Sequence, residues 1–153
     1  MEHAKRTGQC NHHQPTRNHR PEIIWSETAG GGRIHAMKSL TDNSMDESTQ
    51  KAVTAFMGRI SALYPVRHAI LFGSRARGDF SSGSDVDIAV LLGGKPGSFL
   101  DTKLTMADIA YDVLLETGLR IQPLPIWQEE WDRPEAYSNP RLLHNIEREG
   151  VLL

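Results

Sequence analysis

Cysteine is nearly absent from this chain: Cys10 is the only one in 153 residues. A lone cysteine excludes an internal disulfide framework and fits a reducing cytoplasm. Long apolar runs are missing too, so no segment approaches the length that spans a bilayer. The basic N-terminus lacks the apolar core of a secretory signal. Neither charge sign dominates, with 17 Lys and Arg against 19 Asp and Glu and a formal net charge of -2. The basic footprint of a chain built to grip nucleic acid is therefore not there. No internal repeat is visible, and the length suits one ordinary domain.

Residues 1–44 differ from the rest. They hold His3, His12, His13, His19 and His35, five of the seven histidines, and the run Gly30-Gly31-Gly32. Their one apolar cluster is Ile23-Ile24-Trp25. Such a segment buries too little surface to offset its ordering entropy, so it reads as a disordered extension. Cys10, His12, His13 and His19 have no CxxC or HxxxH spacing and read as a solvated tail rather than a zinc site.

Residues 45–153 read as the folded domain. Val53, Phe56, Met57, Ile60 and Leu63 recur at helical spacing between Asp46 and Leu63, and Pro65 stops that helix. Ala69–Phe72 is a short buried strand broken by Gly73, and residues 73–84 form a loop with a helical turn. Asp85–Leu92 is a second strand, with Val86, Ile88 and Val90 on one face and Asp85, Asp87 and Ala89 on the other. Phe99–Thr117 is a helix whose expected inner face is Leu100, Leu104, Ala107, Ala110, Tyr111 and Leu114, and Gly118 caps it. Leu119–Trp127 is a third strand. Pro123 and Pro125 cannot donate to a ladder, so it lies at an edge or is bulged. Asn139-Pro140 opens a last helix that Gly150 ends. This order of elements predicts a small α/β (α+β) domain, a mixed sheet flanked by helices.

Two short stretches carry chemistry. The first is Leu71-Phe72-Gly73-Ser74-Arg75-Ala76-Arg77-Gly78. A serine that follows a strand and opens a helical turn can offer its hydroxyl and nearby N–H groups to a phosphate. Gly73 lets backbone approach a ligand without a Cβ in the way, and Arg75 and Arg77 add donors suited to phosphate oxygens. No Gly-Lys-Ser/Thr and no G-x-G-x-x-G is present, so neither a P-loop nor a dinucleotide fingerprint explains it. Alone, Gly-Ser fits an ordinary loop as well.

The second is Ser84-Asp85-Val86-Asp87-Ile88-Ala89-Val90. Asp85 and Asp87 are two apart on a strand, so both carboxylates leave the same face. They repel unless a cation sits between them, and Mg²⁺ is commonly held by one or two carboxylates together with substrate phosphates. A solvent-facing polar strand would look similar. The apolar run that follows favours a purpose, because charge at the mouth of such a strand is costly.

Together they read Gly73-Ser74, ten residues, Asp85, one residue, Asp87. This signature resembles that of the nucleotidyltransferase superfamily, which includes DNA polymerase beta and kanamycin nucleotidyltransferase. The string from Phe72 to Gly78 is most similar to the small bacterial branch, the minimal nucleotidyltransferases, and the resemblance covers roughly residues 45–153. It implies a nucleotidyltransferase fold. It implies contact of Gly73, Ser74, Arg75, Arg77 and Ser84 with a nucleoside triphosphate, ATP or another. It implies Mg²⁺ on Asp85 and Asp87, which are also the catalytic pair. Many members of this branch pair with a HEPN-domain toxin, act as its antitoxin, and transfer AMP to a tyrosine hydroxyl of it.

Active members also carry a third acid on a later strand, which helps bind metal and activate the attacking hydroxyl. Here that position falls at Gln122, which is neutral. Glu129 and Glu130 lie beyond reach, and Asp112 reads as a solvated helix residue. His68, His144, Trp127 and Trp131 read as structural or solvated. Three functional readings follow. One is a Mg²⁺-dependent enzyme acting on a protein hydroxyl, its site completed by a partner chain or a second copy. Another is a catalytically weak module that neutralises a partner by contact, and the third is an antibiotic-modifying transferase. Membrane and nucleic acid are not expected partners.

Overall fold

The computed structural model describes residue 34, residues 37–39 and residues 45–153. The expectations for Cys10, His3, His12, His13, His19, His35 and the Gly30–Gly32 run lie outside the described residues. Five strands form one mixed sheet in the order β1-β5-β2-β3-β4. They are β1 (Lys38–Ser39), β2 (Val66–Phe72), β3 (Val86–Leu92), β4 (Ile121–Trp127) and β5 (Val151–Leu152). β2 runs antiparallel to both β3 and β5, while β3 and β4 are parallel and so are β1 and β5.

Two helices cover one face of the sheet. α1 (Glu47–Leu63) starts at Asp46, whose side chain accepts a hydrogen bond from the Thr49 N–H at 2.9 Å. That is a conventional N-cap. Val53, Phe56, Met57 and Ile60 meet the sheet as their spacing predicts, whereas Leu63 at the last turn is exposed. α3 (Phe99–Thr117) lies beside α1, capped by the Ser98 side chain at one end and Gly118 at the other. This layer packs on Leu71, Val86, Ile88, Val90 and Ile121. The opposite face carries Ile70, Ala89, Leu91 and Ile126. It is covered by Trp131 of α4 (Gln128–Asp132) and by Leu143 and Ile146 of α5 (Pro140–Glu149). β3 is thus buried on both sides, which explains why its apolar run is continuous from Ile88 to Leu92.

Four features differ from the sequence reading. The expected inner face of α3 holds only at Ala110 and, half-buried, at Leu114. Thr102, Met106, Ala110 and Val113 are buried, while Leu100, Leu104 and Tyr111 are exposed. The first strand begins at Val66 rather than Ala69, passing through an irregularity between Val66 and His68. The last strand β5 carries no periodic signal in two residues, yet it sits inside the sheet, with Val151 opposite Leu71. Finally, the ordered sheet does not start at residue 45, because Lys38–Ser39 pair with Val151–Leu152 and Ile34 and Met37 are buried in the second core cluster. β4 is an edge strand, as its two prolines require.

Candidate functional site

The site forms where β2 turns back into β3. Phe72, the last residue of β2, is the register partner of Asp87. The chain then enters α2 (Gly73–Arg77), leaves it at Gly78, and loops back to Asp85 and β3. The ten residues between Ser74 and Asp85 therefore make a helical turn and a return loop between neighbouring antiparallel strands. The two chemical stretches become adjacent because their strands pair.

Gly73 stands against the second carboxylate. It has φ +73°, and a Cβ built there would stand 2.4 Å from Asp87 Oδ2. Only glycine tolerates both the backbone conformation and the approach. Asp87 is half-buried, and burial first, then the Asp85 charge, pushes its carboxyl above the usual range; Arg77 partly opposes this. A carboxylate raised in this way costs stability when ionised. The folded state holds the proton more tightly than the unfolded chain, so the contribution of Asp87 is favourable at low pH and is lost as pH rises through its folded value. Asp87→Asn should therefore leave the protein as stable or more stable at neutral pH, by up to about 0.5 kcal/mol after allowance for solvent screening. A urea titration of the two proteins checks this; clear destabilisation by the asparagine would refute it.

Gln122 lies in the site. β4 runs parallel to β3 with Gln122 opposite Asp87, and its Nε2 donates to Asp85 Oδ2 at 2.9 Å. The neutral side chain is thus beside both carboxylates. Glu129 and Glu130 are elsewhere: Glu129 pairs with Arg133, and Glu130 accepts the Trp127 N–H at the start of α4. Trp127 and Trp131 are core residues on opposite faces of the sheet. Asp112 is exposed on α3, and His144 is exposed beside Glu147.

Arg75 is not free to meet a ligand through its whole guanidinium. Its side chain is buried, and Nε and Nη2 donate to the Ser84 carbonyl at 3.1 and 2.9 Å. Nη1 donates to Thr49 Oγ1 at 2.7 Å and reaches Asp46 Oδ2 at 3.3 Å, and the Phe80 ring covers the group, 4.6 Å from its centroid. Arg75 is a clamp joining α2 to the N-terminus of α1 and to the residue before Asp85. Sequence reasoning missed this because its partners Asp46 and Thr49 lie 29 and 26 residues away. Ser84 also shapes the loop, its Oγ accepting from the Ser81 N–H at 3.0 Å. Ser74 is partly exposed at the start of α2. Arg77 is half-exposed and pairs with Asp79 at 3.3 Å and Glu149 at 3.5 Å. A cavity of about 240 Å³ lies against α2, lined by Met45, Leu71, Ala76, Val151 and Arg77 among others, and neither Asp85 nor Asp87 borders it.

Among the described residues no three His, Cys, Asp or Glu side chains come together as a metal cage. The donors present are two carboxylates on one strand face and an amide. Hard oxygen ligands in that number fit Mg²⁺, which completes its shell with water and substrate phosphates rather than protein.

A family model described as the nucleotidyltransferase domain matches residues 54–152, well over half of the chain and all of the site from Gly73 to Gln122. The chain belongs to the nucleotidyltransferase domain family. A relative from Methanocaldococcus jannaschii, named a candidate protein adenylyltransferase, is 30% identical over 87 residues. That match covers 57% of this chain and 55% of the relative, so the chain spans about half the length of the curated relative it matches. A solved structure of a candidate nucleotidyltransferase from Sulfolobus solfataricus is 24% identical, with a TM-score of 0.43, over 61% of this chain and 83% of that one. No helix among the described residues is long and apolar enough to cross a membrane.

Proposed function

We propose that this nucleotidyltransferase-family chain transfers a nucleoside monophosphate, AMP from ATP, to a hydroxyl of a partner protein. We further propose that the partner is a HEPN-type toxin for which the chain is the antitoxin. The observation that carries the reading is the contact of Gly73 with Asp87, which packs the Gly-Ser turn directly against the paired carboxylates. Phosphates held by Gly73, Ser74 and the exposed Arg77 then lie next to Asp85 and Asp87. Mg²⁺ on these carboxylates would orient the α-phosphate and neutralise charge on the leaving pyrophosphate. In the transfer, the acceptor oxygen forms a bond to the α-phosphorus and the α–β anhydride bond breaks. The hydroxyl proton needs a base. Gln122 cannot take it, so the accepting group comes from the partner. The motif similarity to the minimal nucleotidyltransferases supports the toxin as partner, and the name of the archaeal relative supports a protein acceptor.

A second reading rests on the Gln122–Asp85 hydrogen bond. An amide in the place of a third acid suits a module that binds nucleotide and partner with little turnover. ATP labelled at its α-phosphate, Mg²⁺ and a HEPN-type partner separate the two. Transfer to the partner should fall at least about a hundredfold in Asp85→Ala/Asp87→Ala, and Gln122→Asp should raise it. Neutralisation that survives the double substitution with no label transferred would establish the contact-only module instead. An unchanged rate in Gln122→Asp would show that this position is not the third-acid site.

A further inference from the structure

α3 carries two apolar stripes, and the sheet uses only one. Thr102, Met106, Ala110 and Val113 are buried against it. Leu100, Leu104, Tyr111 and Leu115 are 63%, 55%, 59% and 68% exposed. At 100° per residue these four fall within an arc of about 60°, on the side of the helix away from the core. They span roughly 22 Å, about four helical turns. Large apolar side chains lined up in the open mark an interaction surface rather than scattered surface residues.

The border of the stripe says what covers it. Asp101, Asp108 and Asp112 are all exposed and lie along one side of the arc. Arg59 of α1 pairs with Glu116 and its charge is felt by the neighbouring Asp112, so the border is most negative along Asp101 and Asp108. The other side carries Lys103, which sits 5.7 Å from the Phe99 ring centroid. A second copy does not suit this pattern. Joined antiparallel about a two-fold axis, two copies would set the acidic border against itself. Joined parallel, they would offer one lysine to three carboxylates. Like charges juxtaposed across an interface oppose association.

We propose that the outer face of α3 docks an amphipathic helix of a different protein, whose apolar stripe is bordered by lysine and arginine. Anchors spaced i, i+4, i+11 and i+15 on a straight helix suit helix-against-helix packing. The carboxylate border sets the orientation of the partner and excludes helices with an acidic border. The surface is separate from Asp85 and Asp87, so this proposal stands whether or not the chain transfers nucleotide.

The test uses the full chain and two synthetic helical peptides of 18 residues that share one leucine stripe. One carries Lys and Arg along the borders, the other Glu. Titration calorimetry should show the basic peptide binding at least about tenfold more tightly than the acidic one, with affinity falling as salt rises. Leu104→Ser/Tyr111→Ser should weaken it at least about tenfold. Asp101→Lys/Asp108→Lys should reverse the preference between the peptides. Asp85→Ala/Asp87→Ala should bind the basic peptide as the parent does. Equal affinity for both peptides, or binding of neither, overturns the proposal. So does sedimentation as a dimer that Leu104→Ser/Tyr111→Ser dissolves, which would make a second copy the occupant.

Discussion

Replacing Arg75 with methionine is expected to lower the unfolding free energy by about 3 kcal/mol, although the substitution keeps most of the apolar stem. The methionine leaves the Ser84 carbonyl without its two donors and Thr49 Oγ1 without one. It also uncovers the inner side of Phe80. Little of the cost comes from the ion pair itself, since the Asp46 side chain is 38% exposed and solvent screens it. Arg75→Lys keeps the charge but loses the fork that grips Ser84, so it should recover less than half of the loss. Asp46→Asn should cost well under half as much, because asparagine still caps α1. Its effect is present at neutral pH and fades in acid. Burial pushes the Asp46 carboxyl up, but hydrogen bonds from the Ser48 and Thr49 side chains and the Thr49 N–H, helped by the Arg75 charge, outweigh this and lower it from 3.8 to about 2. A depressed carboxyl stabilises the fold above its unfolded value and loses that contribution as pH falls through the folded one. The parent should therefore lose stability between about pH 4 and pH 2 through Asp46, and Asp46→Asn should not. Urea titrations at neutral and acid pH read both effects. An Arg75→Met protein with the parent's midpoint would refute the clamp.

That role was not legible in the sequence, and the reason is physical. An arginine after Gly-Ser looks like a phosphate ligand because its chemistry is right. Whether its donors are free depends on a fold that brings the start of α1 over α2. What was legible depended on neighbours in the chain. Gly73-Ser74 and Asp85-x-Asp87 flank one turn between paired strands, so their spacing reflects a single local unit. Gln122 was singled out by the family resemblance, and the register of β4 on β3 sets it opposite Asp87.

α3 fails for a different cause. Periodicity finds an apolar stripe, and this helix has two. The larger side chains, Leu100, Leu104 and Tyr111, attracted the assignment. The sheet instead receives Thr102, Met106, Ala110 and Val113, three of them small enough for the helix to lie close to the strands. Bulk is a guide to burial only where one face competes for it. The short strands β1 and β5 are set by their partners rather than by any pattern of their own, since two residues cannot display a period.

The Gly73–Asp87 contact yields the second large effect, and Gly78 supplies its control. Gly73 opens α2 and Gly78 ends it, both in the left-handed region, at φ +73° and +81°. An alanine at either should cost on the order of 1 kcal/mol in backbone strain. At Gly78 nothing lies within 4 Å of the added Cβ, so strain is the whole cost. At Gly73 the Cβ meets Asp87 Oδ2 at 2.4 Å and Cγ at 3.3 Å, and the carboxylate must swing away from its place beside Asp85. Gly73→Ala should therefore cost about 1 kcal/mol more than Gly78→Ala. On the proposed function, Mg²⁺ with ATP should raise the melting temperature of the parent, and Gly73→Ala should abolish that rise. The excess has a single source, which a double-mutant cycle isolates. With Asp87→Ala the nearest remaining atom is the Cβ, at 3.6 Å in the parent geometry, an ordinary contact. Gly73→Ala in that background should cost no more than Gly78→Ala does, giving a coupling near 1 kcal/mol between positions 73 and 87. Additive costs in the cycle would mean that the Gly-Ser turn does not hold the carboxylate in place. The ten-residue spacing would then be a consequence of the strand pairing alone.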